Sequence, residues 1–273
     1  MNYRHAFHAG NFADCFKHAL LVALIEALRQ KPAPFSVLDT HAGLGQYDLE
    51  DAAARRTGEA RQGILRLMDA PATGPLAGYL SLVRRLGLYP GSPRLAEALL
   101  RPQDRLVCCD TLPEAVHALR HLFRADPRVS VHHRSGWEAL GSLLPPREKR
   151  GLVLIDPPYE AADEFATVAE GLARGHRRFG HGIFAAWYPI KHLASVRGFL
   201  DIVRDLSIRD IMAVHLYLRD PTDPGRMNGC GLLVINPPYR FPAQAGLIAD
   251  AVLRALGTAE PGARTDLIRL ADE

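Results

Sequence analysis

Apolar residues recur along the chain at two spacings. Leu20, Leu21, Leu24, Ile25 and Leu28 fall three and four apart, the interval that lines one helix face, and predict a helix over 16–28 with Asp14 as its cap. Apolar-rich stretches at 105–109, 129–132, 151–155, 182–188, 211–218 and 231–235, with a shorter one from Phe35 to Leu38, predict strands. The run Gly151-Leu152-Val153-Leu154-Ile155 carries no alternation, so it reads as a strand buried on both faces, as parallel sheets require. Helical spacing at 113–124, 164–179 and 191–200 fills the gaps between strands. This alternation predicts an α/β chain with a doubly wound, mostly parallel sheet. The Gly/Pro-rich loop 220–229 joins the closing pair of strands and makes the last one antiparallel.

Residues 46–103 break the rhythm. Ile64, Leu65 and Met68, then Tyr79, Leu82, Val83 and Leu86, keep helical spacing, while Arg55, Arg56, Arg61, Arg66, Arg84 and Arg85 give either a solvated face or a contact for phosphates. The expected organisation is an N-terminal helical segment with the first strand (1–45), a helical insertion subdomain (46–103), and the remainder of the sheet domain (104–273). Within the insertion, Tyr89-Pro90-Gly91-Ser92-Pro93 is a turn whose Ser92 is placed to cap the next helix and could also face a ligand.

Candidate chemistry gathers where strands stop. The run at 151–155 ends in Asp156-Pro157-Pro158-Tyr159, and two prolines end ladder hydrogen bonding there. Such an ending suits the exocyclic amine of adenine, whose lone pair is delocalised into the ring. The Asp156 carboxylate and the Pro157 carbonyl can accept its two N–H groups and aim the nitrogen, and Tyr159 offers a face on which an unstacked base can lie. Taken alone, the tetrapeptide is equally a strand followed by a Pro-Pro turn. Asp39, before the loop Thr40-His41-Ala42-Gly43-Leu44-Gly45, can receive an amino group. Asp110 ends the next strand, where nucleotide-binding sheets hold ribose hydroxyls. Ser135-Gly136 is either an adenine-lining turn or a plain capping turn. Lys17 and His18 fall in the first turn of the first helix, an unfavourable place for cations unless something anionic sits there; the alternatives are a solvated lysine and a half-buried histidine.

A second copy of the motif, Asn236-Pro237-Pro238-Tyr239, follows the run 231–235. An antiparallel strand ends on the rim opposite the parallel strands' carboxyl ends, where ligands collect, so the first copy is the expected site and the second a structural turn.

The chain has 273 residues, 48% of them hydrophobic, enough for one large domain with its own core. A net charge of +3 permits a basic face without announcing one. The four cysteines lack metal-ligand spacing, the His-rich start does not resemble a leader peptide, and no run reaches about 18 apolar residues. Reduced thiols, no metal, no membrane and a cytoplasmic location follow as expectations.

Several segments resemble one family along nearly the whole chain and in the same order. They are Tyr3-Arg4-His5, Phe7-His8-Ala9-Gly10-Asn11, Ala13-Asp14, Lys17-His18, Asp39-Thr40-His41-Ala42-Gly43, Tyr89-Pro90-Gly91-Ser92-Pro93, Leu154 to Glu160, Trp187-Tyr188-Pro189 and Ile235 to Pro238. The resemblance is to the RlmJ family of bacterial 23S ribosomal RNA adenine-N6 methyltransferases. It implies a class I, Rossmann-like methyltransferase fold, S-adenosyl-L-methionine as methyl donor, 23S rRNA as partner, and a monomer. It further implies that His18, His41, Ser92, Asp110, Ser135, Gly136 and Asp156 surround the donor. Asp156 is then catalytic, with Pro157 and Tyr159 beside it, and Tyr3, Arg4 and Lys17 lie against the RNA. Asp110 stands where the family pattern has Glu, and Ser135 where it has Asp. Because a cationic donor lowers a nearby carboxylate's basicity, Asp156 is expected to position rather than to act as a strong base. The same chemistry on DNA adenines, a glutamine-side-chain methyltransferase using Asn236, and a non-catalytic nucleic-acid-binding protein are the competing readings.

Overall fold

The computed structural model describes residues 8–69, 74–258 and 260–272. Helix α1 (Phe12–Arg29) begins earlier than the apolar spacing indicates, because Asn11 and not Asp14 is its cap. The Asn11 side-chain oxygen accepts the Asp14 N–H at 2.9 Å, while Asp14 Oδ2 accepts the Gly10 N–H at 3.0 Å. Asp14 therefore acts from inside the first turn, where a carboxylate favours the helix dipole. Lys17 and His18 move into the second turn, and both are buried.

Strand β1 (Ser36–Asp39) follows, then the ribbon strand β2 (Gln46–Tyr47) and the short helices α2 (Ala52–Thr57), α3 (Glu59–Gln62) and α4 (Ile64–Asp69). Next come α5 (Ala77–Leu86), β3 (Tyr89–Pro90), which pairs with β2, and α6 (Ser92–Leu99). Gly91 holds the cap position of α6, so Ser92 is its first helical residue and does not cap it. The rest alternates: β4 (Arg105–Asp110), α7 (Pro113–Leu122), β5 (Val129–His133), α8 (Gly136–Ser142), β6 (Gly151–Ile155), α9 (Glu164–Arg178), β7 (Ile183–Ile190), α10 (Leu193–Asp205), β8 (Ile211–Tyr217), β9 (Gly229–Ile235), α11 (Phe241–Leu256) and β10 (Arg264–Ala271).

The main sheet has eight strands in the order β10-β8-β9-β7-β6-β1-β4-β5. Neighbours from β5 to β7 pair parallel, β9 runs against both β7 and β8, and β10 runs against β8. This is a doubly wound, mostly parallel arrangement, with the expected antiparallel strand set inside the sheet rather than at its margin. The edge beyond β8 is covered by β10, which the apolar pattern does not announce. Two cores flank the sheet. Leu152 and Leu154 of β6 pack with α1, α6, α7 and α11, while Val153 and Ile155 pack with α8, α9 and α10. That division explains the unbroken apolar run, and burying each such side chain contributes about 1.5–3 kcal/mol. Among the described residues no helix is long and apolar enough to cross a membrane.

All four cysteines are free thiols buried in these cores, and burial raises the pKa of each, that of Cys109 to about 12. Asn236, after β9, has φ 53° and donates both amide hydrogens, to Gly180 O at 2.9 Å and Gly182 O at 2.8 Å. Ile235 is level with Phe184 and Ile211 near the starts of β7 and β8, so this copy of the motif ends on the rim away from the parallel strands' carboxyl ends. Asn236→Ala is expected to cost about 1–3 kcal/mol, from two carbonyls left without donors and the loss of a residue that tolerates left-handed backbone. Denaturant unfolding measures the cost, and turnover is expected to stay at the wild-type rate.

Candidate active site

The carboxyl ends of β1, β4, β5, β6 and β7 open into one cleft of about 1390 Å³. A single ligand pocket usually occupies about 300–1,000 Å³, so there is room for more than one ligand group. His18, His41, Ser92, Asp110, Ser135, Gly136, Asp156, Pro157, Tyr159 and Lys17 all line it. Sequence positions from 17 to 159 are thus brought to one place. Tyr3 and Arg4 lie outside the described residues. Asp39, expected to receive an amino group, is buried and is not part of the cleft wall.

At one end Asp110 ties two loops together: Oδ2 accepts the Gly43 N–H at 2.8 Å and Oδ1 the Leu112 N–H at 2.8 Å. Gly43 has φ +62°, a conformation glycine adopts without strain. Ser135 stands at the cap position of α8 but makes no capping bond. Gly136 brings α8 against the end of β1, where a Cβ would meet Thr40 O at 2.3 Å. Thr40 in turn donates from Oγ1 to Leu154 O at 2.8 Å, linking the β1 loop to β6. Trp137 meets His41 edge-on, with ring centroids 5.0 Å apart. Burial lowers the His41 pKa to about 4, so it is a neutral imidazole near pH 7.

The centre of the cleft is an ion-paired chain. Lys17 Nζ lies 2.5 Å from Asp156 Oδ2 and 3.0 Å from Asp14 Oδ1, and 5.7 Å from the centroid of the Trp187 ring. Behind it, His18 Nδ1 is 3.0 Å from Tyr89 OH, which is 3.1 Å from Tyr79 OH. His18 is therefore held in a buried relay that also forms part of the wall. Tyr159 has φ 52°, donates its hydroxyl to Trp187 O at 2.8 Å, and packs against Phe165 and Trp187. Its ring is thereby fixed. No described donor is bonded to the Pro157 carbonyl.

The segment ahead of α1 joins this centre to α3 and α4. Ile64 N–H donates to Gly10 O at 2.7 Å, His8 Nδ1 is 2.9 Å from Glu59 Oε1, and Asn11 Nδ2 donates to Glu59 Oε2 at 3.0 Å. The Glu59 hydrogen bond raises the His8 pKa. Sequence reasoning missed Thr40, Trp137, Asn11 and Glu59 as parts of the site. Asn11 carried a signal as a helix-capping residue type just ahead of an apolar helix, and Thr40 by standing in the segment Asp39-Thr40-His41-Ala42-Gly43; Trp137 and Glu59 carried none. Among the described residues, no cluster of three or more His, Cys, Asp or Glu is arranged to hold a metal ion.

Asp39 sits below the cleft floor. Its Oδ1 accepts the His41 N–H at 3.3 Å, and its Oδ2 has no partner among the described residues. Burial, with Asp156 adding to it, raises its pKa from 3.8 to about 7. The folded form thus binds this proton more tightly than the unfolded form does. The stability it contributes is complete below about pH 3.8 and is lost as pH rises through about 7. Asp39→Asn is therefore expected to raise Tm more at pH 8 than at pH 5. An equal gain at both, by calorimetry, would show that this carboxyl does not titrate abnormally.

The family described as "Ribosomal RNA large subunit methyltransferase D, RlmJ" matches residues 32–268. Ribosomal RNA large subunit methyltransferase J of Escherichia coli K12 is 40% identical over 253 residues, 89% of this chain and 90% of its own. The Haemophilus influenzae protein of the same name is 36% identical over 264 residues, 94% of each chain. Protein LPL1258 of Legionella pneumophila superposes with a TM-score of 0.86 at 34% identity, covering 96% of this chain and 97% of that one. A probable spermidine synthase of Corynebacterium glutamicum, at 12% identity and a TM-score of 0.51 over 92% of this chain and 74% of its own, shares the fold.

Proposed function

The chain belongs to the RlmJ family of ribosomal RNA large subunit methyltransferases, and on that premise we propose that it transfers a methyl group from S-adenosyl-L-methionine to N6 of an adenine in 23S ribosomal RNA. One observation carries the reading: Asp156 and Pro157 share a single cleft with Asp110, Ser135 and Gly136, so an amine-gripping strand end faces a nucleoside-binding end. When bound, the donor supplies an electrophilic methyl group on a sulfonium.

The residues present fit that donor. Each Asp110 oxygen accepts one backbone N–H and keeps a further lone pair, so the pair can hold two ribose hydroxyls. Ser135, free of capping duty, and the Trp137 ring supply a polar and a flat contact for an adenine. Neutral His41 adds no positive charge beside a sulfonium.

At the acceptor side, Lys17 holds Asp156 through Oδ2, which leaves Oδ1 to receive one N–H of the adenine amine. The Pro157 carbonyl receives the other, and the fixed Tyr159 ring stacks on the base, a contact worth about 1–3 kcal/mol. Gripping both hydrogens draws the nitrogen out of conjugation and points its lone pair. The nitrogen's surplus proton then leaves to water or, transiently, to Asp156. Positioning and charge placement supply the rate, with little demand for a strong base.

The test is methyl incorporation from labelled donor into deproteinised 23S rRNA taken from cells lacking this gene, with duplex DNA in parallel. Label in N6-methyladenine of the RNA alone supports the proposal. Label only in DNA, or no donor binding by calorimetry, overturns it.

A further inference from the structure

Gln62, Arg66, Lys191, Arg219, Met227 and Thr258 line the same cleft, and this group, its arm, contains none of the donor-side or acceptor-side residues. No part of the donor or of the target base is assigned to this arm. Its residues come from two parts of the fold: α3 and α4 give Gln62 and Arg66, and the segments after β7, β8 and α11 give the rest.

The second group is knit together by hydrogen bonds. Asn228, fully buried, donates its N–H to Ile190 O at 2.9 Å and its side-chain amide to Lys191 O at 2.8 Å and Asp223 O at 2.7 Å. Arg219 donates to Met227 O at 3.2 Å, and Thr258 Oγ1 to Leu218 O at 3.0 Å. Lys191 thus projects from a fixed backbone. Two nearby acids are engaged: Glu260 by Arg219 at 2.8 Å and Arg226 at 3.4 Å, and Glu59 by His8 and Asn11. Arg66 and Lys191 are exposed and have no ion-pair partner among the described residues.

We infer that this arm is the track for the RNA strand flanking the target adenine, with Arg66, Lys191 and Arg219 meeting successive phosphates. The inference rests on the proposed RNA substrate. Cations and an aromatic stacking face lining one cleft follow the pattern of single-strand binding, in which backbone charge is tracked and bases are held by stacking. Of the six arginines singled out in the insertion, only Arg66 reaches the cleft, and Lys191 and Arg219 complete the set from the opposite end of the sequence.

The test measures equilibrium binding of an unmodified 23S rRNA transcript by fluorescence anisotropy across salt, for wild type, Lys191→Glu and the triple variant Arg66→Gln/Lys191→Gln/Arg219→Gln. Each phosphate contact removed is expected to lower the magnitude of the log–log salt slope by about 0.7, so the triple variant should lose about two units of slope. Donor affinity by calorimetry is expected to stay at the wild-type value in both variants, and Tm to stay there in Lys191→Glu; the triple variant, in which Arg219 gives up Glu260 and Met227 O, is expected to lose some Tm. An unchanged slope and affinity for RNA overturns the track, as does a loss confined to duplex DNA. If wild type binds the transcript with the expected slope but does not methylate it, the proposed activity falls while the track stands.

Discussion

Asp156→Ala is expected to lower turnover on 23S rRNA by about 10²–10³-fold, the usual loss when a preorganised charge contact to the reacting group is removed. The side chain is at the cleft wall, 15% exposed, so its removal leaves no buried void. The loss should appear in single-turnover methyl incorporation well below Tm, and Tm itself should fall, because buried Lys17 keeps only Asp14 as a partner. Asp156→Asn separates the contributions. Its amide keeps one acceptor for the amine, but oriented to do so it turns an NH₂ towards Lys17, which now lies 2.5 Å from Oδ2. Intermediate activity is expected. Asn236→Ala is the comparator, because it sits on the other rim with its amide spent on Gly180 and Gly182. Full turnover in Asp156→Ala together with loss in Asn236→Ala would move the reaction to the second motif and make an amide nitrogen the substrate.

Gly136→Val is expected to weaken donor binding by tenfold or more and to destabilise the fold by about 1–3 kcal/mol, the range for overpacking a tight contact. A Cβ there would stand 2.3 Å from Thr40 O and 2.7 Å from Thr40 Cβ, and these atoms cannot retreat. The Thr40 hydroxyl and N–H both bond to Leu154 O, at 2.8 and 3.1 Å, so pushing the β1 loop breaks its link to β6. The disturbance would reach His41 and Gly43 on the donor side. Gly246→Ala in α11 is the control: nothing lies within 4 Å of its Cβ, and replacing a mid-helix glycine should stabilise by about 0.5–1 kcal/mol. Calorimetric donor affinity and Tm, measured on both, check the contrast; normal donor affinity in Gly136→Val would remove this turn from the donor site.

Much of the sheet was legible because its strands are buried on both faces and so appear as unbroken apolar runs. The strand at 151–155 has this form and is β6 as observed. The edge was not legible. β10 presents Leu267 to solvent and mixes Arg264, Asp266 and Arg269 among its apolar residues, so it lacks both an apolar run and a clean alternation. α11 carries the helical interval at Phe241, Ala245, Ile248, Val252 and Leu256, directly after the Pro-Pro-Tyr turn. For the candidate site, residue types at strand ends pointed to Asp110 and Asp156, and both line the cleft because topology brings strand ends together. The cap of α1 was misplaced because Asn11 and Asp14 are both capping types, and only the hydrogen bonds distinguish them. Lys191 and Arg219 belong to the cleft by virtue of loop packing around Asn228, a long-range effect with no local pattern.

The sealed thiols have a practical consequence. With Cys15, Cys108, Cys109 and Cys230 all enclosed and burial working against ionisation, maleimide reagents should leave the native protein unmodified. A cysteine introduced at Tyr239, which is 97% exposed on the rim away from the cleft, would then be the single labelling point among the described residues. A dye placed there would sit on the turn between β9 and α11 and report RNA docking by energy transfer, with no need to strip the natural cysteines first.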